Sequence, residues 1–222
     1  YNTIKRSVKI RNRRKGLKIM DIILASGSPR RRELLEQAGF EFKVEVSNAD
    51  ENVSEESPVE MVEELAARKA KAVVNLHNKK EDTCLVIGAD TIVVLDGKIL
   101  GKPSDGEDAK AMLTSLAGRT HQVYTGVALF WIKEGVIEKK KTFHECTDVT
   151  MVSMTEQEIA DYVASGDPMD KAGAYGIQGP AAVFISGIRG DYYNVVGLPI
   201  SRVYHEILVC AGKQDAHRKQ KF

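Results

Sequence analysis

The chain has 222 residues, 43% of them apolar and 28% charged, a composition that is ordinary for a globular protein and excludes a fibrous or wholly disordered one. Its net charge of +1 is unevenly distributed. Residues 1–20 carry eight Lys and Arg and no acid, and residues 213–222 carry four and one, so the body over 21–212 has 20 basic and 30 acidic residues and a charge of −10. An acidic body argues against nucleic acid as the main ligand, and we expect no nucleic-acid partner.

Cysteine usage and apolar run lengths indicate the compartment. The three cysteines lie far apart without CxxC spacing, which favours a reducing compartment and no disulfide framework. The longest apolar runs are shorter than the ~20 residues of a membrane span, so we expect a cytoplasmic protein with no membrane partner. Because Met20 opens the first patterned segment, we expect a disordered or artificial basic extension over 1–19, one folded domain over 20–212 and a basic tail over 213–222.

The first third of the chain alternates between strands and helices. Pro29 and Pro58 each follow a serine and suit the first position of a helix, and Gly39 is a typical helix end. The pattern predicts, in order, a buried strand over 19–26, a helix from Pro29 to Gly39, a half-exposed strand over 40–46, and a helix that begins after Ser57 in a capping box and runs to about His77.

Beyond residue 84 the chain is dominated by long apolar strands joined by turn dipeptides. The pattern predicts a hairpin over 84–100 turning at Asp96–Gly97, a helix from a capping box at Ser104 to Leu116, two long strands over 121–154 turning at Glu134–Gly135, a helix from a capping box at Thr155 to Ala164, short strands around 182–186 and 192–196, and a helix from Pro199 to Cys210. This order predicts a mixed sheet in an α/β (mixed α+β) domain.

Three consecutive arginines, Arg30 to Arg32, occupy the first turn of the first helix. The helix dipole disfavours cations there, by roughly 0.3–1 kcal/mol each. Two interpretations stay open: an unusual helix start, or a site for an anion such as phosphate, which helix N–H groups and forked guanidinium donors bind. Spacing pairs Arg32 with Glu36 on the surface. Because the helix start is unfavourable without an anion, we expect Arg31→Ala to be neutral or slightly stabilising in the ligand-free protein while turnover falls.

Carboxylates and lysines elsewhere suggest phosphoryl chemistry. Asp90 ends a buried apolar run in GADTIVV, where an acid either caps backbone groups or does chemistry. Glu51 is a second acid that could share a hard metal with it, because carboxylates without a Cys/His cluster favour Mg²⁺ or Mn²⁺. Lys102 in LGKP is either a surface lysine or a cleft residue.

The segment DKAGAYGIQG, 170–179, contains three glycines in ten residues. It matches neither a Walker A loop nor a GxGxxG dinucleotide loop. Either it is a structural Ω-loop, or its backbone approaches a ligand that Lys171 and Gln178 could reach.

The segments LASGSPRRRELL, GADTIVV, LGKP, YTGVAL, DKAGAYGIQG and VVGLP, in this order and spacing, resemble the Maf family over about 22–209. The resemblance implies a nucleoside triphosphate pyrophosphatase that cleaves between the α and β phosphates in a nucleotide-pool house-cleaning role. It also implies the fold of the inosine-triphosphate pyrophosphatases, a curved mixed sheet with two lobes and a central cleft.

The resemblance also implies roles for individual residues. Asp90 matches the catalytic aspartate, which would orient or deprotonate the attacking water with help from Mg²⁺ or Mn²⁺. Glu51 would hold that metal together with Asp90. The residues that match phosphate-binding positions are Ser26, Arg31, Lys69, Lys102 and Lys171.

Three positions indicate the subgroup. Family members of the dTTP/UTP type carry Arg after SP, Thr after the catalytic Asp and Gln in YGIQG, and this chain has Arg30, Thr91 and Gln178 there. A Gln amide offers both a donor and an acceptor to a uracil or thymine edge. The 7-methyl-GTP type tends to show other residues at all three positions.

Two other functions remain as alternatives. Maf proteins are associated with septum inhibition, so the chain could be a nucleotide-binding regulator of cell division with little catalysis. The acid pair Glu51 and Asp90 favours the enzyme, because a pure binder needs no acid there. Nucleic-acid binding through the basic tails would require residues 1–19 for function. The family is often dimeric, and a homodimer remains an open expectation.

Overall fold

The computed structural model describes residues 20–51, 57–77, 79 and 81–210. The predicted extension over 1–19 and tail over 213–222 lie outside the described residues. The elements are β1 (Asp21–Leu24), α1 (Pro29–Gln37), β2 (Phe42–Val44), α2 (Pro58–Val74), β3 (Cys84–Leu95), β4 (Lys98–Leu100), α3 (Gly106–Leu116), β5 (Thr120–Lys133), β6 (Val136–Met151), α4 (Glu156–Ala164), β7 (Ile185–Arg189), α5 (Tyr192–Val196) and α6 (Ile200–Cys210).

The strands form one mixed sheet of seven strands in the order β2-β1-β3-β5-β6-β7, with β4 paired to β3. β1 is parallel to β2 and β3, and the remaining pairs are antiparallel. The parallel part is short and buried, whereas the long hairpin of β5 and β6 extends the sheet. The predicted mixed α/β sheet is confirmed.

The sheet supports two lobes. In the first lobe, residues alternate along β1: Ile22 and Leu24 pack in a core with α1 and α6, and Ile23 packs on the opposite face with α2. In the second lobe, the far ends of β3 and β5 pack against α3 and α4 in a separate apolar core. The long strands β3 and β5 therefore join both lobes, and the predicted division into two lobes is confirmed.

Two glycines let α2 lie directly on the sheet. A Cβ at Gly88 would collide with the carbonyl oxygen of Ala66, and a Cβ at Gly126 would collide with that of Val62. Gly88 and Gly126 lie on the neighbouring strands β3 and β5, and the residue paired with Gly126 is only two residues beyond Gly88. This close approach holds Lys69 of α2 above the residues that follow Gly88.

Two strand predictions in the last third of the chain are wrong. The segment 192–196 forms α5 instead of a strand, because the Asp191 carboxylate accepts a hydrogen bond from a backbone N–H two residues later and caps a helical turn. The strand expected around 182–186 begins only at Ile185, because residues 180–184 form a 3₁₀ turn.

The helices begin close to the predicted residues, but only one of the three predicted capping boxes forms as predicted. The capping box of Thr155 and Glu158 forms as expected. Ser57 precedes α2 without a side-chain capping bond, and α3 is capped by Asp105 instead of Ser104. No helix in the described ranges is long and apolar enough to span a membrane.

Candidate active site in the cleft between the lobes

A cavity of about 630 Å³ lies where the two lobes meet, a volume typical of small-molecule sites. Its walls come from the β1–α1 loop, α2, the middle of β3, the glycine-rich segment and the turn between α5 and α6. All ten predicted site residues line it: Ser26, Arg30, Arg31, Glu51, Lys69, Asp90, Thr91, Lys102, Lys171 and Gln178.

Lys69 joins the two predicted metal ligands. Its Nζ lies 2.7 Å from Asp90 Oδ1 and 2.8 Å from Glu51 Oε1. The side chains of Lys69 and Asp90 are each 14% exposed, whereas Glu51 is 62% exposed. The hydrogen bond from Lys69 is the main reason that the pKa of Glu51 lies below its ordinary value. A single cation thus contacts both carboxylates in the space between them.

The chain supplies only part of a metal coordination shell here. No group of three or more His, Cys, Asp or Glu side chains arranged to hold a metal occurs in the part of the chain that the structure describes. Mg²⁺ is commonly held by one or two carboxylates plus substrate phosphates and water. Glu51 and Asp90, which one ammonium group already bridges, fit that donor set.

Arg31 is nearly buried, at 9% exposure, and is bound on three sides. Its guanidinium donates to the carbonyl of Gly197 (2.8 Å), the hydroxyl of Ser26 (3.1 Å) and the hydroxyl of Thr91 (3.1 Å). Burial lowers its pKa, and the charge of Asp90 partly offsets this. These bonds tie α1 to β3 and to the turn after α5, so Arg31 has structural partners that the sequence analysis did not foresee.

Ser26 keeps a proton for a ligand. Its hydroxyl oxygen accepts from Arg31 and, at 3.3 Å, from the backbone N–H of Ser28. Both lone pairs are then used, and the hydroxyl proton has no acceptor among the described residues. The β1–α1 turn therefore presents one O–H donor to the cleft.

Thr91, which is half-buried, is hydrogen-bonded to the buried hydroxyl of Thr125. Thr125 donates to the carbonyl of Asn194 (2.9 Å), and Thr91 lies 2.9 Å from Thr125. Because a hydroxyl has one proton, Thr91 must donate to Thr125 while it accepts from Arg31. Thr91 has no donor left for a nucleobase and instead orients Arg31.

Lys171 is saturated by its own segment. Its Nζ contacts the Asp167 carbonyl (2.5 Å), the Asp167 carboxylate (3.1 Å) and the Asp170 carboxylate (2.7 Å), and the side chain is 11% exposed. An ammonium group has three donors, so none remains for a phosphate in this arrangement. A Cβ at Gly176 would lie 2.7 Å from Lys171 Cε, and the lysine stem thus supports the turn above it.

Arg30 crosses the cleft. Its Nη1 lies 3.6 Å from Asp170 Oδ2, with side-chain exposures of 30% and 65%. This partly solvated pair joins α1 of the first lobe to the 3₁₀ turn over 167–170. Arg32 and Glu36, predicted to pair, form no ion pair with each other.

Two predicted residues keep uncommitted polar groups. Lys102 and Gln178 are exposed on the cleft wall, and neither makes a side-chain hydrogen bond or ion pair with any described residue. Lys102 contributes to the lowered pKa of Glu51, so its charge acts on the carboxylate pair. These two side chains are the most accessible donors in the cleft.

Sequence patterns missed the groups that hold these residues in place. Their hydrogen bonds join distant parts of the chain, as at Asn194, Thr125, His121 and Tyr175. Asp167 instead bonds to the nearby Tyr162 and Lys171. The sequence contained a signal for two of them, His121 and Thr125, which lie in or beside the apolar run HQVYTGVAL. Polar residues at such positions are typically hydrogen-bonded to a buried partner.

The fold and the cleft together define an α/β protein in which basic and hydroxyl side chains lie beside a carboxylate pair. The family description "Maf-like protein" matches residues 21–209, and the chain belongs to the Maf family. Relatives called dTTP/UTP pyrophosphatase are 51% identical over 195 residues in Agathobacter rectalis (84% of this chain, 95% of the relative) and 52% identical over 186 residues in Bacillus cytotoxicus (83% and 93%). A Bacillus cereus relative of the same name is 50% identical over 196 residues (88% and 92%).

Two solved structures have a weaker overall similarity. The Staphylococcus aureus Ham1 protein is 16% identical with a TM-score of 0.39, covering 60% of this chain and 72% of its own. A nucleoside-triphosphatase described as a dITP/XTP pyrophosphatase from Mycobacterium abscessus is 15% identical with a TM-score of 0.40, covering 90% of this chain and 100% of its own.

Proposed function

We propose that this protein hydrolyses dTTP and UTP to the nucleoside monophosphate and pyrophosphate, and that it thereby removes unwanted pyrimidine triphosphates from the nucleotide pool. The observation that carries the proposal is the cleft in which Asp90, one-seventh exposed, lies beside Lys69 and Glu51, in a chain about half identical to enzymes of that name. The nucleotide would bind with its phosphates towards this group and its base towards Gln178.

The phosphate chain would meet donors from both lobes. Ser26 offers its hydroxyl proton, and Lys102 offers an ammonium group without an ion-pair partner among the described residues. Arg31 has five N–H groups and uses three of them on the protein, which leaves two for an oxyanion. Charge-assisted bonds of this kind are roughly twice as strong as neutral ones.

Asp90 is the candidate base. It stands in the middle of β3 opposite Gly126 of β5, between the residues of β3 that pair with β1 and those that pair with β4, so the strand fixes its backbone position before substrate binds. Removal of a proton from the attacking water by a positioned carboxylate typically contributes 10²–10⁴-fold, as an order of magnitude. In the ligand-free protein Lys69, 2.7 Å away, orients this carboxylate.

Glu51 and Asp90 would hold a divalent ion, Mg²⁺ or Mn²⁺, with the remaining ligands coming from phosphate oxygens and water. When bound, such an ion stabilises charge on the phosphates and lowers the pKa of a bound water. Lys69, which contacts both carboxylates in the ligand-free protein, would offer its ammonium group to the phosphates.

The base would be read by Gln178. Its amide presents a donor and an acceptor, which match the complementary N3–H and carbonyl groups of uracil and thymine. Thr91, although typical of the pyrimidine subgroup, would act through Arg31, because its own proton is given to Thr125. Arg30 would contact the nucleotide only by exchanging its 3.6 Å pair with Asp170.

The experiment is a substrate panel. The full chain is incubated with Mg²⁺ or Mn²⁺ and with dTTP, UTP, dCTP, GTP or 7-methyl-GTP, and released pyrophosphate is measured. We expect turnover of dTTP and UTP, and none after chelation or with Asp90→Asn, which controls for contaminating enzymes. Turnover of 7-methyl-GTP alone contradicts the proposed substrate, and nucleotide binding without turnover supports the regulator instead.

A further inference from the structure

The second lobe contains a buried polar pair that no predicted role uses. His121 on β5 is fully buried, and its Nε2 lies 2.6 Å from the hydroxyl of Tyr175, with the two rings edge to face. The other ring nitrogen, Nδ1, is buried without a hydrogen-bond partner in the described part of the chain. Burial lowers the pKa of His121 to about 4, so the ring is neutral at the pH of a cell.

Stability alone does not account for this pair. Tyr175 belongs to an otherwise apolar core with residues such as Val93 and Leu113. A half-satisfied buried imidazole is unfavourable, whereas replacement of both partners by apolar groups of similar shape can be neutral or stabilising. Core stability therefore does not explain a histidine with an unpaired Nδ1 at this position.

Tyr175 lies between two residues with left-handed backbone and a tight turn. The backbone reaches Tyr175 through Gly173 and Ala174, both in the left-handed region at φ 68° and 60°, and the second of these is unfavourable for a residue with a Cβ. Immediately after Tyr175, a turn closes between Gly176 and Gly179 (3.0 Å). This turn, 176–179, carries Gln178.

The turn is held at a few points. Lys171 lies under Gly176, and the Asp167 carboxylate lies beside Gly179. On the side of the core, Tyr175 is 5% exposed, and its hydroxyl bond to His121 fixes the start of the turn. Gln178 itself is exposed and makes no hydrogen bond to a described residue, so the direction of its amide depends on the backbone that carries it.

We propose that His121 and Tyr175 are positioning residues for nucleobase recognition: their hydrogen bond fixes the 176–179 turn and directs the Gln178 amide into the cleft. The inference rests on the proposed function for the identity of the base. It also makes a claim about the ligand-free protein, namely that the turn is ordered through the bond between His121 and Tyr175.

The test compares four variants. Tyr175→Phe and His121→Leu remove the hydrogen bond. His121→Gln retains a side-chain amide that can reach the tyrosine hydroxyl, and Tyr204→Phe on α6 is the matched control, because its ring packs on Phe40 in the other lobe. Thermal melting of each variant establishes that it folds.

In the kinetic arm, Tyr175→Phe and His121→Leu should raise the KM for dTTP about threefold to tenfold, the factor that one buried hydrogen bond supplies, with kcat within about twofold. A change in KM alone is the signature of binding that is equal in the ground and transition states. The preference for dTTP over dCTP should fall by a similar factor. His121→Gln should retain most of the wild-type KM, and Tyr204→Phe all of it.

In the second arm, hydrogen exchange of the ligand-free proteins is followed by mass spectrometry over 173–180. We expect faster exchange there in Tyr175→Phe and His121→Leu, and wild-type exchange in the other two variants. A folded Tyr175→Phe with wild-type KM, selectivity and exchange overturns the inference. A loss of kcat by the same factor for every nucleotide also overturns the inference, because it indicates a purely structural role. If the wild type fails to hydrolyse dTTP, the proposed function is lost, and the exchange measurement still decides the inference.

Discussion

The ammonium group of Lys69 lies 2.7 Å from the carboxylate of Asp90 in a part of the cleft where each side chain is only 14% exposed. Lys69 is carried by α2 and Asp90 by β3, and the two elements approach closely because Gly88 has no side chain to separate them. The pair sits among further charges from Glu51, Arg31 and Lys102. In the ligand-free cleft, the charge of Lys69 therefore offsets the charges of the two carboxylates that it contacts.

Asp90→Asn should abolish most of the turnover, by about 10²–10⁴-fold, since the amide cannot take a proton from water. Nucleotide affinity should change much less, because the phosphate donors Ser26 and Lys102 remain. The measurement is single-turnover hydrolysis of dTTP alongside equilibrium binding of a non-hydrolysable analogue. Retention of full activity would remove Asp90 from the role of base.

Lys69→Met should strengthen the binding of Mn²⁺ to the nucleotide-free protein by at least about tenfold. Two unit charges 4 Å apart repel by about 4 kcal/mol at an effective dielectric constant of 20, and the substitution removes the cation that lies between Glu51 and Asp90. Electron paramagnetic resonance counts the free ion. Lys71→Met, the same change on the exposed side of α2, is the control and should leave the affinity as it is. Equal affinities in all three proteins would contradict the idea that Lys69 blocks the carboxylates.

Arg31→Ala should destabilise the ligand-free protein by roughly 2–4 kcal/mol, because it removes three hydrogen bonds from a charged donor and leaves buried acceptors unpaired. The matched control is Arg32→Ala, an exposed neighbour that should change the free energy of unfolding by less than about 0.5 kcal/mol. Urea unfolding followed by circular dichroism measures both. A neutral Arg31→Ala would restore the view that this arginine serves only an anion.

Gln178→Leu should raise the KM for dTTP and UTP about tenfold or more while changing kcat little, since a lost hydrogen bond to the base leaves the reacting phosphates in place. Because the side chain is exposed and unbonded to the described residues, the melting temperature should not change. Steady-state kinetics on dTTP, UTP and dCTP provide the measurement. Unchanged selectivity would mean that another group reads the base.

His121 should make the protein less stable in mild acid. Its folded pKa of about 4 lies below the ordinary value near 6.5, so the unfolded chain binds more protons between these values, and the free energy of unfolding falls as the pH falls from 6.5 to 4. For this fully buried ring the effect amounts to about 3 kcal/mol. The groups that face it are Tyr175 and the more distant Asp148.

The measurement is urea unfolding of wild type and His121→Gln at several pH values. The difference in stability between the two proteins should shift in favour of the variant as the pH is lowered, which separates His121 from the carboxylates that titrate in both. Parallel pH profiles would indicate that the ring does not titrate with unfolding.

Local patterns were sufficient for most of the elements and for the membership of the site. The turn dipeptides Asp96–Gly97 and Glu134–Gly135 sit between the paired strands as expected, because positive φ at such positions is a local property. The prediction failed at 192–196, where the apolar residues resemble a strand but a single capping carboxylate at Asp191 selects a helix. Short segments are decided by such contacts more than by propensity.

For the site as well, the sequence predicted one part and the tertiary structure decided the other. The sequence by itself determined which ten side chains line the cleft, some from the chemistry of their motifs and others, such as Ser26, Lys69 and Thr91, only from the resemblance to the Maf family. Only the tertiary structure decided what each one does in the ligand-free protein: Arg31 is hydrogen-bonded to three segments, Lys171 supports a turn, and Lys102 and Gln178 have no side-chain partner among the described residues. The physical reason is that a hydrogen bond depends on distance and angle between groups far apart in the chain, which no local pattern of residues encodes.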